Sequence, residues 1–175
     1  MGEDRRVRDP IHGFVHLSSD EAEVVETGVF QRLRGIRQLA MANMVYPGAL
    51  HTRFDHTLGV FHVTSLLCNV FGLQDDDKRL VRLSALLHDL GHGPFSHVSE
   101  GALDLYADRN KLEERLKTGN QSKIHELLTH DVLRHDKQLN DLIGKSTINK
   151  IIALLSHGYG EKVHERNCLG PFGCR

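Results

Sequence analysis

With 175 residues, 39% of them hydrophobic, and 22 Lys and Arg against 23 Asp and Glu, the chain is sized for about one packed domain and is nearly neutral, which argues against a basic nucleic-acid coat or a polybasic membrane anchor. Four prolines exclude a Pro-rich linker, and three cysteines exclude a disulfide scaffold and suit a reducing, cytoplasmic setting. The 13 histidines are the outlier, at roughly three times ordinary usage. Histidine is both the commonest metal ligand and the usual acid–base group near neutral pH.

Met1-Gly2-Glu3-Asp4-Arg5-Arg6 has no apolar stretch behind it, so it does not read as a secretory leader, and Arg6 stands where myristoylation wants Ser or Thr. Asp9-Pro10 predicts a turn or extended segment, and the alternation Gly13-Phe14-Val15-His16-Leu17 a short strand or hairpin. Ser18-Ser19-Asp20-Glu21 offers N-cap chemistry for a helix to about Glu26, broken by Thr27-Gly28. Phe30, Leu33 and Ile36 then recur at helical spacing, with Arg32, Arg34 and Arg37 on other faces.

After the loop Tyr46-Pro47-Gly48, a long helix is predicted from about Thr52 to Phe71. Phe54, Leu58, Phe61, Leu66, Val70 and Phe71 wrap most of its cylinder, which predicts a central, buried position. The charge-free run Thr57–Gln74 holds too many polar groups to face lipid. Asp75-Asp76-Asp77 places three acids at the start of the next helix, favourable to its dipole, and Leu80, Leu83, Leu86, Leu87 and Leu90 give it one apolar stripe that ends at Gly91-His92-Gly93-Pro94. Further helices are expected from Ser96 to about Tyr106, over Ile124–Leu133, and over Ile148–Leu155 with Ser146 or Thr147 as cap; Lys111–Lys117 reads as charged helix or loop. The architecture is all-α with a short N-terminal hairpin, and the aperiodic stretch 161–175 reads as an irregular tail behind one domain over 1–160.

The densest chemistry lies in Leu87-His88-Asp89-Leu90-Gly91-His92-Gly93-Pro94-Phe95-Ser96-His97. His88 and Asp89 are about 100° apart on a helix, so they share an ion only in the groove to a neighbouring helix. The preceding helix carries Arg53-Phe54-Asp55-His56 near its start, and two antiparallel helices joined by a short turn set that start beside the end of the next. His56, His88 and Asp89 can therefore converge. A lone His-Asp pair is ordinary surface chemistry, and His130-Asp131 and His135-Asp136 are read that way. It is the position after an apolar stripe and before a Gly-Pro break, with His92 and His97 following, that sets the first pair apart.

Together with Asp9-Pro10-Ile11-His12-Gly13, Phe30-Gln31-Arg32-Leu33-Arg34, Tyr46-Pro47-Gly48-Ala49 and His51-Thr52-Arg53-Phe54-Asp55-His56-Thr57-Leu58-Gly59-Val60, these residues resemble the HD-domain metal-dependent phosphohydrolases. The branch they resemble is that of the deoxynucleoside triphosphate triphosphohydrolases of the sterile-alpha-motif/HD-domain type, over about residues 8–160. The resemblance implies an HD helical bundle in which His56, His88 and Asp89 are three of four ligands to one divalent metal. A mixed imidazole and carboxylate shell admits Fe, Mn, Zn, Ni or Co, with Mg accompanying the nucleotide. It further implies that Arg53 contacts substrate phosphate, that His92 lines the site, and that His97 and His125 are acid–base groups with Glu126 tuning a histidine. By the same resemblance Gln38 lies near the nucleoside, and Arg32 and Arg34 fall where some members bind an activating nucleotide at a subunit interface. As residues alone, those arginines read more readily as a solvated or salt-bridging face.

The implied partners are a nucleotide substrate, a nucleotide effector and further copies of the chain, with no membrane and no nucleic acid. The family's fourth ligand is an Asp on a later helix, yet no Asp follows Asp141. The sequence therefore predicts a truncated product with weakened metal retention and impaired turnover, or a shell completed by Asp131, Asp136 or water. A non-catalytic nucleotide-binding or assembly module, and a hydrolase for another phosphoester, are the alternatives.

Overall fold

Strands β1 (Arg5–Asp9) and β2 (Gly13–Leu17) form the N-terminal hairpin, antiparallel, with Val7 opposite Val15 and Asp9 opposite Gly13. These elements belong to a computed structural model that describes residues 5–116 and 123–156. Asp9 makes the turn: its Oδ1 accepts from the backbone N–H of Ile11 (2.8 Å) and His12 (2.7 Å). Helix α1 (Ser19–Glu26) starts with the capping box that Ser18 and Glu21 promised, Glu21 Oε2 accepting from Ser18 N at 2.8 Å.

Thr27 ends α1 and caps the single turn α2 (Gly28–Gln31), which runs into a 3₁₀ turn over Arg32–Gly35. Phe30, Leu33 and Ile36 are all buried as their spacing predicts, but they do not share one helix. The chain is already extended at Ile36, because its carbonyl accepts Arg53 N–H at 2.8 Å and Arg37 pairs with Thr52.

Helices α3 (Arg53–Val70) and α4 (Asp75–Leu87) form the central helical hairpin, joined by four residues. Phe54, Leu58 and Phe61 of α3 and Leu83, Leu86 and Leu87 of α4 face the main core. The expectation of a fully buried α3 is corrected: Val63, Leu66, Leu67, Val70 and Phe71 are exposed, Val70 by 78%. Apolar composition around the cylinder reported what α3 could bury, not what covers it among the described residues.

Beyond the loop 88–96 come α5 (His97–Tyr106), α6 (Arg109–Leu116), α7 (Ile124–His135), α8 (Lys137–Ile143) and α9 (Lys145–Ser156). Helices α7 and α9 reach the main core through Leu133, Ile148, Ile151 and Ile152, whereas Leu116, Ile124 and Leu127 build a small second core with Leu103 and Leu112. Helix α8 is absent from the sequence reading; seven residues with Leu139 and Ile143 buried are too short to show a period. Helix α9 starts at Lys145 behind Gly144 (φ +83°), so neither Ser146 nor Thr147 is its cap. His130 is not a surface residue but 2% exposed, since it lies three positions from both Leu127 and Leu133 on the buried face of α7. The tail 161–175 and the expected domain end at residue 160 lie outside the described residues.

Candidate metal centre

Helix α3 begins in a capping box, Asp55 Oδ2 accepting from Thr52 N at 2.8 Å, and is tied to the preceding strand-like segment by Gln38 N donating to His51 O at 3.1 Å. That start lies against the loop leaving α4. Arg53, 1% exposed, spans the two: Nη1 lies 2.6 Å from Asp89 Oδ2, and Nε donates to Ser96 Oγ at 2.9 Å. Its Nη2 is buried with no hydrogen-bond partner. Such an orphan is costly in a folded protein and marks a place where a ligand atom would be welcome.

His56, His88 and Asp89 meet beside this arginine. His88 Nε2 is 3.3 Å from Asp89 Oδ1, His56 Nε2 is 4.0 Å from Asp89 Oδ2, and the two imidazole rings are edge to face at 5.8 Å. One donor atom from each lies within 4.8 Å of the others. Donors about 2.1 Å from a common ion stand roughly 3–4 Å apart, so the spacing fits a divalent cation. The chemistry of the donors fits as well. His88 Nδ1 is 2.8 Å from Ala85 O. A carbonyl only accepts, so Nδ1 carries the proton and Nε2 keeps its lone pair, the usual arrangement of a ligating imidazole. Burial holds His56 below its ordinary range and hence neutral. Burial also opposes the charge on Asp89, but its carboxyl is held below the usual carboxylate range, with the Arg53 guanidinium as the permanent cation beside it.

A second group stands behind the first. His92, His97, Glu100 and His125 also offer mutually close donor atoms. Three Nδ1 atoms surround Glu100 Oε1, at 2.8 Å for His125, 2.9 Å for His97 and 3.4 Å for His92. The His97 contact is a hydrogen bond, whereas His125 is close without hydrogen-bond alignment. His92, 2% exposed, stacks on His125 at 4.1 Å and turns Nε2 to Asp89 Oδ1 at 3.5 Å, so it is the wall between the two groups. Burial, then the Arg53 cation and the His125 and His97 rings, push His92 down to about 3 against the pull of Asp89. Burial likewise lowers His125, opposed by Glu100 and Glu126.

Close packing holds the loop that carries these groups. A Cβ on Gly91 would meet His125 O at 2.1 Å and Thr129 N at 2.3 Å, which only glycine avoids. Gly91 N donates to Thr129 Oγ1 at 2.8 Å. From the other side Arg32 donates to His92 O at 2.7 Å and to Leu90 O. Arg32, though solvent-exposed, is thus bound to backbone carbonyls, and Arg34, also exposed, covers the Phe54 ring at 3.5 Å.

Of the residues singled out in the sequence, the structure gathers His56, His88, Asp89, Arg53, His92, His97 and His125. The carboxylate on which the second group converges is Glu100, which sequence reading missed; its only signal is the i, i+3 spacing from His97. Glu126 instead accepts from Lys123 N at 3.0 Å. Gln38 is half-buried and its Oε1 has no partner. Neither rival for a fourth ligand joins the first group: Asp131 pairs with Arg115 (2.7 Å) and His135 (3.1 Å), and Asp136 caps α8 through Leu139 N at 2.9 Å.

Residues 53–168 match the family model of the HD domain. The deoxynucleoside triphosphate triphosphohydrolase SAMHD1 of Homo sapiens is 41% identical over 102 residues, covering 54% of this chain and 16% of that protein. The Gallus gallus protein of the same name is 32% identical over 169 residues, 91% of this chain and 26% of the relative. An uncharacterized protein of Bacillus subtilis, YwfO, is 32% identical over 89% of this chain and 37% of its own length. The crystal structure of a hypothetical protein from Aquifex aeolicus superimposes with a TM-score of 0.68 at 32% identity, over 87% of this chain and 37% of that one. The chain therefore spans between 16% and 37% of the length of these relatives.

Proposed function

Because the chain belongs to the HD domain family, we propose that it is a metal-dependent phosphohydrolase acting on nucleotides, with a deoxynucleoside triphosphate split to deoxynucleoside and triphosphate. The observation that carries the proposal is the convergence of His56, His88 and Asp89 beside a buried arginine with a free donor. The SAMHD1 relatives, deoxynucleoside triphosphate triphosphohydrolases by name, support the substrate class.

In this reading His56, His88 and Asp89 hold the ion, one of Fe, Mn, Zn, Ni or Co. When bound, such an ion polarises a phosphoryl oxygen and acidifies nearby water. Arg53 neutralises charge on the phosphoryl group through Nη2 while Asp89 and Ser96 keep its other nitrogens in place. His97, 63% exposed at the side chain and anchored at Nδ1 by Glu100, offers Nε2 for proton transfer to the leaving oxygen. His125, held neutral by burial with Glu100 and Glu126 opposing that shift, serves as a base stacked on neutral His92, and Gln38 presents its unpaired Oε1 to the nucleoside. A nucleotide effector stays part of the proposal; Arg32 and Arg34, where the resemblance would seat it, are exposed and hold backbone carbonyls and the Phe54 ring. Self-association and a cytoplasmic setting stay part of the proposal, tested by light scattering and by locating a tagged chain. No described helix is long and apolar enough to cross a membrane.

A second reading has its own support: among the described residues no fourth ligand joins the triad. Metal retention is then weak and the helical shell serves as a nucleotide-binding or assembly module. A nucleotide panel with several divalent metals, read by product identity, decides between them. Triphosphate and deoxynucleoside as products support the hydrolase. Other phosphoester products redirect it to another substrate, and no turnover with retained nucleotide binding supports the module.

A further inference from the structure

Phe95 (φ +63°) and Ser96 (φ +50°, ψ −127°) put side chains in the half of backbone space that glycine prefers. Ser96 is the first central residue of the turn that Val98 N closes on Phe95 O at 3.0 Å. Its dihedral angles are those of a type II′ turn, where that position normally belongs to glycine. Gly91 and Gly93 lie just upstream in the same loop, yet Ser96 keeps its Cβ. Strain of this kind persists only where the surroundings over-determine it, and it clusters at functional sites.

The hydroxyl supplies the reason. Ser96 is 1% exposed; its Oγ accepts from Arg53 Nε at 2.9 Å and donates to Arg37 O at 2.7 Å. It thereby joins the loop after α4 to the start of α3 and to the segment before it. Arg53 is gripped on two edges, by Ser96 at Nε and by Asp89 at Nη1, while Nη2 has no partner. We propose that Ser96 is a positioning residue, whose hydroxyl, delivered by a glycine-type turn, fixes the Arg53 guanidinium so that Asp89 faces the metal and Nη2 faces a phosphoryl oxygen. The proposal rests on the metal-and-phosphate reading above. Glycine would relax the turn and cannot hold Arg53; alanine would keep the strain and also lose the hydroxyl.

The test compares the wild-type chain with Ser96→Gly and Ser96→Ala. Thermal melting, titration with Mn²⁺ and with inorganic triphosphate, and solvent protection of the Arg53 Nε–H by ¹⁵N NMR are read on each. The expected result for Ser96→Gly is loss of Nε–H protection and about tenfold weaker binding of both probes, at the lower end of what outer partners of a metal site contribute. Ser96→Ala loses binding to the same extent and melts below Ser96→Gly. A serine that merely shapes the turn would leave the glycine variant with wild-type affinities and a protected Nε–H, and that outcome overturns the proposal. A wild-type chain that binds neither probe sinks the metal-and-phosphate reading instead. The NMR comparison then decides the positioning role alone, for it if protection is lost in Ser96→Gly and against it if protection is kept.

Discussion

Around Asp89 one carboxylate divides its two oxygens among Arg53, His88, His56 and His92; around Glu100 a single oxygen collects the Nδ1 atoms of His97, His125 and His92. The first group turns lone pairs toward a shared space, because Ala85 O holds the proton of His88 on the far nitrogen. The second turns its Nδ1 atoms onto the acid itself, which suits holding and moving protons. Two clusters of the same residue types, sharing His92 as a wall, are thus set up for different work by what lies behind each ring.

The largest effect is expected from Asp89→Asn. It removes the anion from the donor set and leaves the buried Arg53 without its counter-charge. Mn²⁺ affinity is expected to fall by more than about a hundredfold, beyond what outer partners contribute, and unfolding in urea to show a loss of about 3–5 kcal/mol. Glu100→Gln should spare the metal and strike turnover instead. Turnover drops by about a hundredfold or more, as for loss of acid–base support, while calorimetry still finds wild-type Mn²⁺ stoichiometry. Loss of metal in that variant would merge the two clusters into one function. Gly91→Ala attacks the packing that both share: its Cβ meets backbone, not a movable side chain. A cost of about 3 kcal/mol is expected, lowering Tm by about 10 °C.

A milder separation uses pH. Burial, aided by Arg134 and opposed by Glu126, lowers the affinity of His130 for a proton. The unfolded chain takes up that proton below about pH 6.5 and the folded chain resists it. The contribution of His130 to stability is therefore complete above pH 6.5 and is lost as pH falls from there toward its folded value. His130→Gln should flatten the decline of Tm over that range; an unchanged slope would show that other groups set it. Smallest of all is His135→Ala, on the exposed end of α7, expected within about 0.5 kcal/mol of wild type and without effect on Mn²⁺ binding.

The triad was legible because it needs only a helical hairpin: an imidazole near the start of one rod and a His-Asp doublet at the end of the next. The second cluster was half legible. Its histidines stood out in an unusually His-rich chain, but Glu100 is one acid among 23 and is marked only by the fold that brings α5 to α7. His130 and His135 show the limit from the other side. Both precede an Asp on one helix, yet one is buried and one exposed, because their phases relative to Leu127 and Leu133 differ. Arg32 was illegible since its partners are backbone carbonyls 58 and 60 residues away. Ser96 was illegible since a positive φ at a residue with a side chain has no sequence signature.

The most direct test is anomalous diffraction from crystals of the chain soaked in Mn²⁺. One strong peak is expected about 2.1–2.3 Å from His56 Nε2, His88 Nε2 and the Asp89 carboxylate. A peak seated instead among His92, His97, Glu100 and His125, with nothing at the triad, would contradict it.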